Sequence, residues 1–389
     1  MTFRRIAGAV VLLALVLLVY VAAPYARATS LIIRAANLGG TAQAIATREA
    51  RPVVTHPART VPTRHGDVPA QFYTPDGGFT RTVLLIPGIH SMGIEEPRLR
   101  SLAHELAATG VNVMTMALPD LQAYRITPQT TDVIEDAVLW LARQRDLAPD
   151  GRVGLIGVSF AGGLSIVAAS RPSIRHKLAF VLSFGGYADL PRVVRSLATG
   201  EEEHVGTLRV PPPHDYGVAV ILYAIADRGI VPPAQAQPLR DGIRTFLLAS
   251  QQAMVDRDLS ERTFRQAREY AKTLPEPARG LMNDVNDRAV KTLGPILVPY
   301  LHQMEAESPA LSADRDTGVP DAPIYLLHGE EDNVIPAVES VLLARNLRAR
   351  GGNVHLLMSD LITHASVNHA AAATEAIKLV GFWASVLRQ

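Results

Sequence analysis

Strand-like and helix-like segments alternate in two separate parts of this chain. In the first part, apolar runs with strand character occupy 82–86, 111–117, 152–156 and 179–184, and helix-compatible stretches lie between them at 97–109, 131–143 and 161–170. In the second part, strand-like runs at 323–327 and 354–358 are each followed by a helix-like stretch, at 337–350 and 370–387. Helices that alternate with continuous apolar strands are typical of a mainly parallel sheet covered on both faces. The sequence therefore predicts an α/β fold of this kind.

The segment between the two parts does not follow the alternation. It has few strand patterns and several helix-like stretches, at 215–228, 234–254, 260–274 and 279–307, with prolines between them. We interpret it as a helical insertion, a cap between two halves of one sheet. The predicted organisation is an amino-terminal segment at 1–30, a connector at 31–57, a first core part at 58–189, the cap at 190–318 and a second core part at 319–389. Two antiparallel strands, at 60–64 and 69–74, are predicted to open the core.

The amino-terminal segment has the pattern of a membrane anchor. Arg4 and Arg5 precede an uncharged apolar run at residues 6–23, which at about 1.5 Å per residue just reaches across a hydrocarbon core of about 30 Å. This run is longer than the roughly 7 to 15 apolar residues of a signal peptide, so an uncleaved transmembrane helix is favoured, with the folded domain outside the cytoplasm. The alternative is a secreted protein, because Ala26-Arg27-Ala28 resembles a signal cleavage site.

Composition excludes several classes of function. The 389 residues include 38 Lys and Arg against 37 Asp and Glu, for a formal net charge of +1, so no field of one sign is available to hold nucleic acid. The absence of cysteine excludes disulfides, thiolate metal sites and cysteine nucleophiles. Neither a metal-binding spacing such as His-Glu-x-x-His nor a phosphate-binding glycine loop occurs. The sequence implies no metal and no organic cofactor.

Ser159 is the candidate nucleophile. It lies in Gly157-Val-Ser-Phe-Ala-Gly162, directly after a predicted strand and directly before a predicted helix. A serine at such a reversal is held above the sheet only if the turn is tight, which requires small residues two positions before and after it. Gly157 and Ala161 meet that requirement. The same pattern also occurs in turns that merely pack a helix on a sheet, so the interpretation depends on partners elsewhere.

Asp332 is the candidate acid that would orient a histidine. It lies in the loop Gly329-Glu-Glu-Asp-Asn, after the strand at 323–327, on the sheet edge where open parallel sheets place their sites. The alternative role is a helix cap before the stretch at 337–350. Asp189, after the preceding strand, is a second candidate acid.

His364 is the candidate general base. It lies in the loop that follows the strand at 354–358, from which its ring could reach both Asp332 and Ser159. His369 is the rival, although a residue at the start of the last helix is more typical of packing than of catalysis. His355, inside the strand, is predicted to be structural or exposed.

A serine nucleophile also needs donors for the oxyanion that its attack creates, and these are usually backbone amides. One is predicted to be the N–H of Phe160, which follows the serine and begins a helix. The other is predicted to be the N–H of Ile89, which follows Gly88 in the loop after the strand at 82–86. His90 in that loop is either a pocket residue or a surface residue.

The order Ser159, Asp332, His364, each after its own strand, resembles the α/β-hydrolase superfamily. Phe72-Tyr-Thr-Pro-Asp-Gly, Val83-Leu-Leu-Ile-Pro-Gly-Ile-His and His328-Gly-Glu-Glu-Asp-Asn-Val-Ile-Pro are similar to its esterase, dienelactone-hydrolase and serine-aminopeptidase-like branches. In many members a lid or cap lies where this chain has its insertion. Pro87 and Ala161 depart from the family pattern, which has a histidine before the oxyanion glycine and a second glycine after the serine. Neither change removes a reacting atom.

The function predicted from these residues is hydrolysis of a carboxylic ester, or a related acyl bond, through an acyl-enzyme. The substrate would be a small acyl compound, and the apolar cap helices favour a hydrophobic acyl group. A serine peptidase with aminopeptidase-like action is the alternative within hydrolases. A membrane-tethered binding protein that keeps the fold without the chemistry is the alternative outside them, and a lyase or cofactor-free haloperoxidase on the same triad is a third.

Overall fold

The sheet of this protein is mixed, with an antiparallel start and a parallel main part. The computed structural model describes residues 20–201, 211–301, 310–315, 318–362 and 373–389. Within them the strands are β1 (Val53–Thr55), β2 (Arg59–Thr63), β3 (Gly66–Pro75), β4 (Thr82–Ile86), β5 (Asn112–Met116), β6 (Val153–Val158), β7 (Leu178–Phe184), β8 (Ile324–Gly329) and β9 (Val354–Ser359). Eight follow one another in the order β1-β3-β5-β4-β6-β7-β8-β9, and β2 pairs with β3.

The direction of pairing changes at β5. The strands β1, β2 and β5 all run antiparallel to β3, whereas every pair from β5 to β9 is parallel. Because β4 lies between β5 and β6, the connections leave β4 and β6 in opposite directions across the sheet. Open parallel sheets place their sites at such a switch point, at the carboxyl ends of the strands. Gly88 and Ser159 follow the two strands that meet there.

The described helices outside the insertion cover both faces of the sheet. They are α1 (20–35), α2 (Gly40–Glu49), α3 (Pro97–Ala107), α4 (Pro119–Gln122), α5 (Pro128–Arg143), α6 (Phe160–Ala169), α13 (Val338–Ala349) and α14 (Ala373–Val386). Leu84 and Ile86 of β4 pack in one layer with α5, α6 and α13. Val83 and Leu85 pack in the other with α1, α3 and α14. The alternation of side chains along β4 therefore connects two hydrophobic layers.

The insertion is helical. Its described helices are α7 (Leu190–Thr199), α8 (Tyr216–Ile225), α9 (Pro233–Gln252), α10 (Arg257–Ala271), α11 (Ala278–Asn286) and α12 (Val290–Leu301), with a π-helical turn (Ala226–Ile230) between α8 and α9. The single helix predicted at 279–307 is wrong, because Arg288 adopts φ 56° and separates α11 from α12. A left-handed backbone at a non-glycine residue ends the regular helix there.

The two ends of the insertion are joined by a buried polar cluster, here called the cap base. Glu339 of α13, 1% exposed, accepts hydrogen bonds from the N–H groups of Ala188 (2.9 Å) and Asp189 (3.0 Å) and from the guanidinium of Arg192. Arg192 also pairs with Asp314 at the far end of the insertion. The cluster therefore connects the end of the β7 loop, the start of α7 and α13.

The chain before the core is packed against it rather than forming a free connector. In α1, Ala28 is fully buried and Leu31 is 2% exposed, and Arg34 donates from Nη2 to the carbonyl oxygen of Glu105 on α3 (3.0 Å). The possible cleavage site at 26–28 thus lies within a docked helix. The apolar run at 6–23 lies mostly outside the described residues. Within them, no helix combines the length and apolarity needed to cross a membrane.

Candidate active site

Ser159 occupies a strained turn between β6 and α6. Its backbone has φ 56° and ψ −132°, a conformation that costs an L-residue about 1–3 kcal/mol and persists only where the surroundings enforce it. Hydrogen bonds enforce it on both sides: the Ser159 N–H donates to the carbonyl oxygen of Phe184 (2.7 Å), and its own carbonyl oxygen accepts from the N–H of Gly162 (2.7 Å). The serine is 9% exposed.

The small residue at position 157 is required by close backbone contact. A Cβ atom on Gly157 would lie 2.3 Å from the carbonyl oxygen of Ala161 and 2.4 Å from Ser165 Oγ. Ala161 itself is fully buried in the core without such a conflict. The turn therefore depends strictly on the glycine before the serine and accepts alanine after it.

The loop after β4 lies directly against the serine. A Cβ atom on Gly88 would lie 3.1 Å from Ser159 Cβ and 3.6 Å from Ser159 Oγ, so the backbone at Gly88 passes close to the serine side chain. Phe160 is the first residue of α6, and its N–H has no carbonyl partner within the helix. The two backbone donors predicted from sequence, Ile89 and Phe160, thus belong to the segments that flank Ser159. We call residues 88–91 the oxyanion loop.

Asp332 lies on the adjoining part of the sheet edge. It is 1% exposed, and its Oδ1 accepts from the N–H groups of Val334 (2.8 Å) and Ile335 (3.0 Å). Its Oδ2 faces the end of β7, where a Cβ atom on Gly185 would lie 3.4 Å away. Gly185 follows Phe184, whose carbonyl oxygen accepts the hydrogen bond from the Ser159 N–H. Two consecutive residues at the end of β7 therefore contact the serine and the acid.

The two candidate acids, Asp332 and Asp189, have different roles in the structure. Asp332 does not cap α13, whose N-cap is Ala337 and has no side-chain cap. Asp189 does cap a helix: its Oδ1 accepts from the N–H of Arg192 at the start of α7, and it pairs with Arg315. Asp189 is therefore committed to the cap base, and Asp332 is the acid at the sheet edge next to Ser159.

The two candidate bases, His364 and His369, lie at 363–372, outside the described residues. The other two histidines considered, His355 and His90, are described. His355 stacks on Tyr325 with ring centroids 4.8 Å apart, on the exposed face of β9, as predicted. His90 is partly buried in the oxyanion loop, where its Nδ1 accepts from the N–H of Met92 (3.2 Å), and burial lowers the pKa of its imidazole. It is neutral at pH 7.

One histidine with a structural role was not recognised from the sequence. His328 is the last residue but one of β8 and is fully buried. Its Nδ1 lies 2.7 Å from Ser340 Oγ, and its Nε2 lies 2.9 Å from the carbonyl oxygen of Ile335. Nε2 is also 3.6 Å from Asp332 Oδ2. The imidazole therefore fills the inside of the loop that carries Asp332 and holds its two ends together. The only signal in the sequence is its spacing of four residues from Asp332.

The cap reaches both sides of the serine. On the acid side, the N–H of His214 donates to the carbonyl oxygen of Asn333 (2.8 Å). On the oxyanion side, Ser91 Oγ donates to Oε1 of Gln251 at the end of α9 (2.8 Å). The insertion therefore contacts the loops on both sides of Ser159. In the described part of the chain, no group of side chains has the composition of a metal site.

Comparison with known proteins yields neighbours in structure only. No family model and no curated protein matches the sequence. An esterase of Pyrobaculum calidifontis is 15% identical with a TM-score of 0.46, and the alignment covers 88% of each chain. A thermostable esterase of Pseudomonas putida is 15% identical with a TM-score of 0.47, over 93% of this chain and 97% of that one. An acylaminoacyl peptidase is 12% identical with a TM-score of 0.45, over 90% of this chain and 44% of that one.

The fold assignment follows from this chain's own topology. A mixed sheet that becomes parallel from β5 to β9 carries a strained serine after β6, an acid after β8 and a helical insertion after β7. Helices cover both faces of this sheet. The chain fits the α/β-hydrolase fold.

Proposed function

We propose that this protein is a serine hydrolase that cleaves a carboxylic ester through an acyl-enzyme intermediate. Ser159 is the nucleophile, His364 the general base, Asp332 the residue that orients the imidazole, and the N–H groups of Ile89 and Phe160 are the oxyanion donors. The observation that carries the proposal is the strained backbone of Ser159 beside Gly88, with Asp332 Oδ2 at the adjoining strand end. A turn that only packed a helix on a sheet would not require this strain.

The reaction proceeds in two halves. As Ser159 Oγ attacks the ester carbonyl carbon, its proton passes to His364, and the electron pair of the carbonyl moves to the oxygen that the two N–H groups bind. The C–O bond to the alcohol then breaks, and the alcohol takes the proton from the imidazolium. Water repeats the sequence on the acyl-enzyme and releases the carboxylic acid. Asp332 is suited to its part because its Oδ1 is held by two backbone N–H groups, which fixes the carboxylate.

We also propose that the apolar run at residues 6–23 anchors the domain to a membrane, with the hydrolase outside the cytoplasm. The docking of α1 on the core through Ala28, Leu31 and Arg34 supports a short and firm connection between the two. Fractionation of cells, followed by treatment of intact cells with a protease, tests both parts of this proposal. A full-length protein in the soluble fraction would contradict the anchor.

A fluorophosphonate probe and a panel of p-nitrophenyl esters test the chemistry. We expect the probe to label Ser159, and Ser159→Ala to lower kcat by about a million-fold, as removal of the nucleophile does in such a unit. Ser173→Ala is the matched control, because Ser173 Oγ bonds Glu135 on the surface of the core. Aminoacyl anilides in the same panel separate peptidase from esterase action. A folded protein that neither reacts with the probe nor turns over any ester would be a binding protein.

The choice of base requires a second pair of variants. His364→Ala is expected to abolish labelling and turnover, whereas His369→Ala is expected to retain both. The opposite result would move the base to His369 and leave the nucleophile unchanged.

A further inference from the structure

The end of α9 carries a side chain that contacts the oxyanion loop. Gln251 accepts from Ser91 Oγ through its Oε1 (2.8 Å), and Ser91 is three residues beyond Gly88. Three residues of chain span at most about 11 Å, so this contact is close to the reacting serine. Gln251 Nε2 is buried, and the hydroxyls of Tyr124 and Tyr216 lie beside the Gln251 side chain, but in the part of the chain that the structure describes Nε2 completes no hydrogen bond of normal geometry.

A second buried hydroxyl lies at the same place. Tyr124, in the loop after β5 and α4, is 2% exposed and adopts φ 55°. Its Oη lies beside the side chains of Ser91 and Gln251 but completes no hydrogen bond of normal geometry with any described residue. Burial raises the pKa of this phenol, so the group is a hydrogen-bond donor at neutral pH. Its ring is fixed by an edge contact with Tyr223 of α8, at 5.7 Å between centroids.

The order of the strands indicates which part of a substrate would meet these groups. The loops after β4 and β5, which carry Ser91 and Tyr124, lie on one side of Ser159. The strands β8 and β9 lie on the other side; Asp332 follows β8, and the proposed base His364 follows β9 in the sequence. The leaving alcohol must receive its proton from the histidine and therefore faces the second side. The acyl chain then extends toward the first.

We propose that Tyr124 Oη and Gln251 Nε2 form a pair of donors that binds an oxygen atom on the acyl chain of the substrate. The inference rests on the proposed ester hydrolysis and narrows its substrate class. The preferred acyl groups carry an ether, hydroxyl or carbonyl oxygen beyond the reacting carbonyl, and a plain alkyl chain of the same length is a poorer substrate. A buried donor left without an acceptor is unfavourable, which is why such a pair selects against an alkyl group.

The test compares isosteric esters that differ by one atom. p-Nitrophenyl 3-methoxypropanoate is paired with the pentanoate, and the 4-methoxybutanoate with the hexanoate. For at least one pair, we expect kcat/KM of the wild-type protein to favour the oxygen-containing ester by about tenfold, the size of one buried hydrogen bond. Tyr124→Phe and Gln251→Leu should each bring that ratio close to one.

Tyr223→Phe is the matched control. Tyr223 Oη is bonded to Arg244 (2.8 Å), so removal of this neighbouring hydroxyl should leave the ratio between the paired esters unchanged. Circular dichroism and thermal unfolding show whether each variant is folded, and the two donor variants serve as independent tests. Ester turnover without preference for oxygen in either pair would overturn this inference and leave the proposed function intact. Absence of any turnover that depends on Ser159 would overturn both.

Discussion

The turn at Ser159 and the cap base are built by different means. Around the serine, the contacts are made by backbone atoms and glycines: Gly157 against Ala161, Gly88 against the serine, and Phe184 as acceptor for its N–H. At the cap base, the contacts are made by charged side chains, with Glu339 bonded to groups 147 to 151 residues away. The first region depends on small residues and backbone contacts, whereas the second depends on pairs of charged side chains.

The two regions also tolerate change differently. In the turn, a single added methyl group meets a backbone atom that cannot move away. In the cap base, removal of one charge leaves its partly buried partners with fewer hydrogen bonds and ion pairs. Variants in each region, with controls nearby, measure this difference.

After loss of the serine itself, the largest effect is expected at Asp332, beside the turn. Asp332→Asn keeps an oxygen that accepts from Val334 and Ile335, so the loop is retained, but an amide cannot stabilise the charged imidazole or fix its tautomer. We expect kcat on a p-nitrophenyl ester to fall by about 10⁴-fold with little change in thermal stability. The control is Glu331→Gln, one residue away, which should remain within about threefold of the wild type. Equal losses in the two variants would mean that the loop carries only a structural charge.

The next effect is expected at the cap base. Glu339→Leu removes the acceptor of the Ala188 and Asp189 N–H groups and of Arg192. We expect the free energy of unfolding in urea to fall by about 3 kcal/mol. This is a small loss for a broken buried ion pair, because the Arg192 side chain is 28% exposed. Glu269→Leu on α10 removes an exposed pair with Lys272 and should cost less than about 1 kcal/mol. Similar losses in both variants would show that burial of Glu339 is not what makes it important.

The third largest effect is expected at the turn that carries Ser159. In Gly157→Ala the new Cβ atom would be too close to both the carbonyl oxygen of Ala161 and the hydroxyl of Ser165, so the turn itself must shift. We expect a loss of about 2 kcal/mol in stability, together with lower kcat because the serine moves with the turn. Gly381→Ala on α14 is the control, since its Cβ would have no atom within 4 Å and alanine favours a helix. If Gly157→Ala kept both full stability and full activity, the turn would be less constrained than its contacts indicate.

This contrast explains which features could be predicted from the sequence. β4 covers the predicted range 82–86 because a buried parallel strand is a continuous apolar run, and the positions of Ser159 and Asp332 follow from the strands that precede them. The connector predicted at 31–57 is helix-compatible in sequence and contains the end of α1, α2 and β1; its packing on the core was not predicted, because the buried face of α1 is short and polar Arg34 is part of it. Gln251 and Tyr124 could not be found, since Ser91 and Gln251 are 160 residues apart in sequence.

The smallest effect is expected on the surface of the core, where charged side chains are paired as in the cap base but remain in contact with water. Arg64 bonds Asp136 and pairs with Glu135 of α5, with its side chain 45% exposed. Burial raises the pKa of Asp136, but the hydrogen bonds and charge of Arg64 outweigh it, so the pKa lies below its ordinary value.

The lowered pKa of Asp136 determines how the contribution of the Arg64 pair to stability changes with pH. A carboxylate with a lowered pKa in the folded state contributes stability above its unfolded pKa of about 3.9, and loses that contribution as the pH falls through the lower folded value. Arg64→Gln should therefore reduce the free energy of unfolding by less than about 1 kcal/mol at pH 7, since the pair is screened by solvent. The difference from the wild type should shrink as the pH falls below about 3.9. Urea unfolding of both proteins at pH 7 and pH 3 measures it, and a difference that grows in acid would mean that Arg64 stabilises the core by packing rather than by charge.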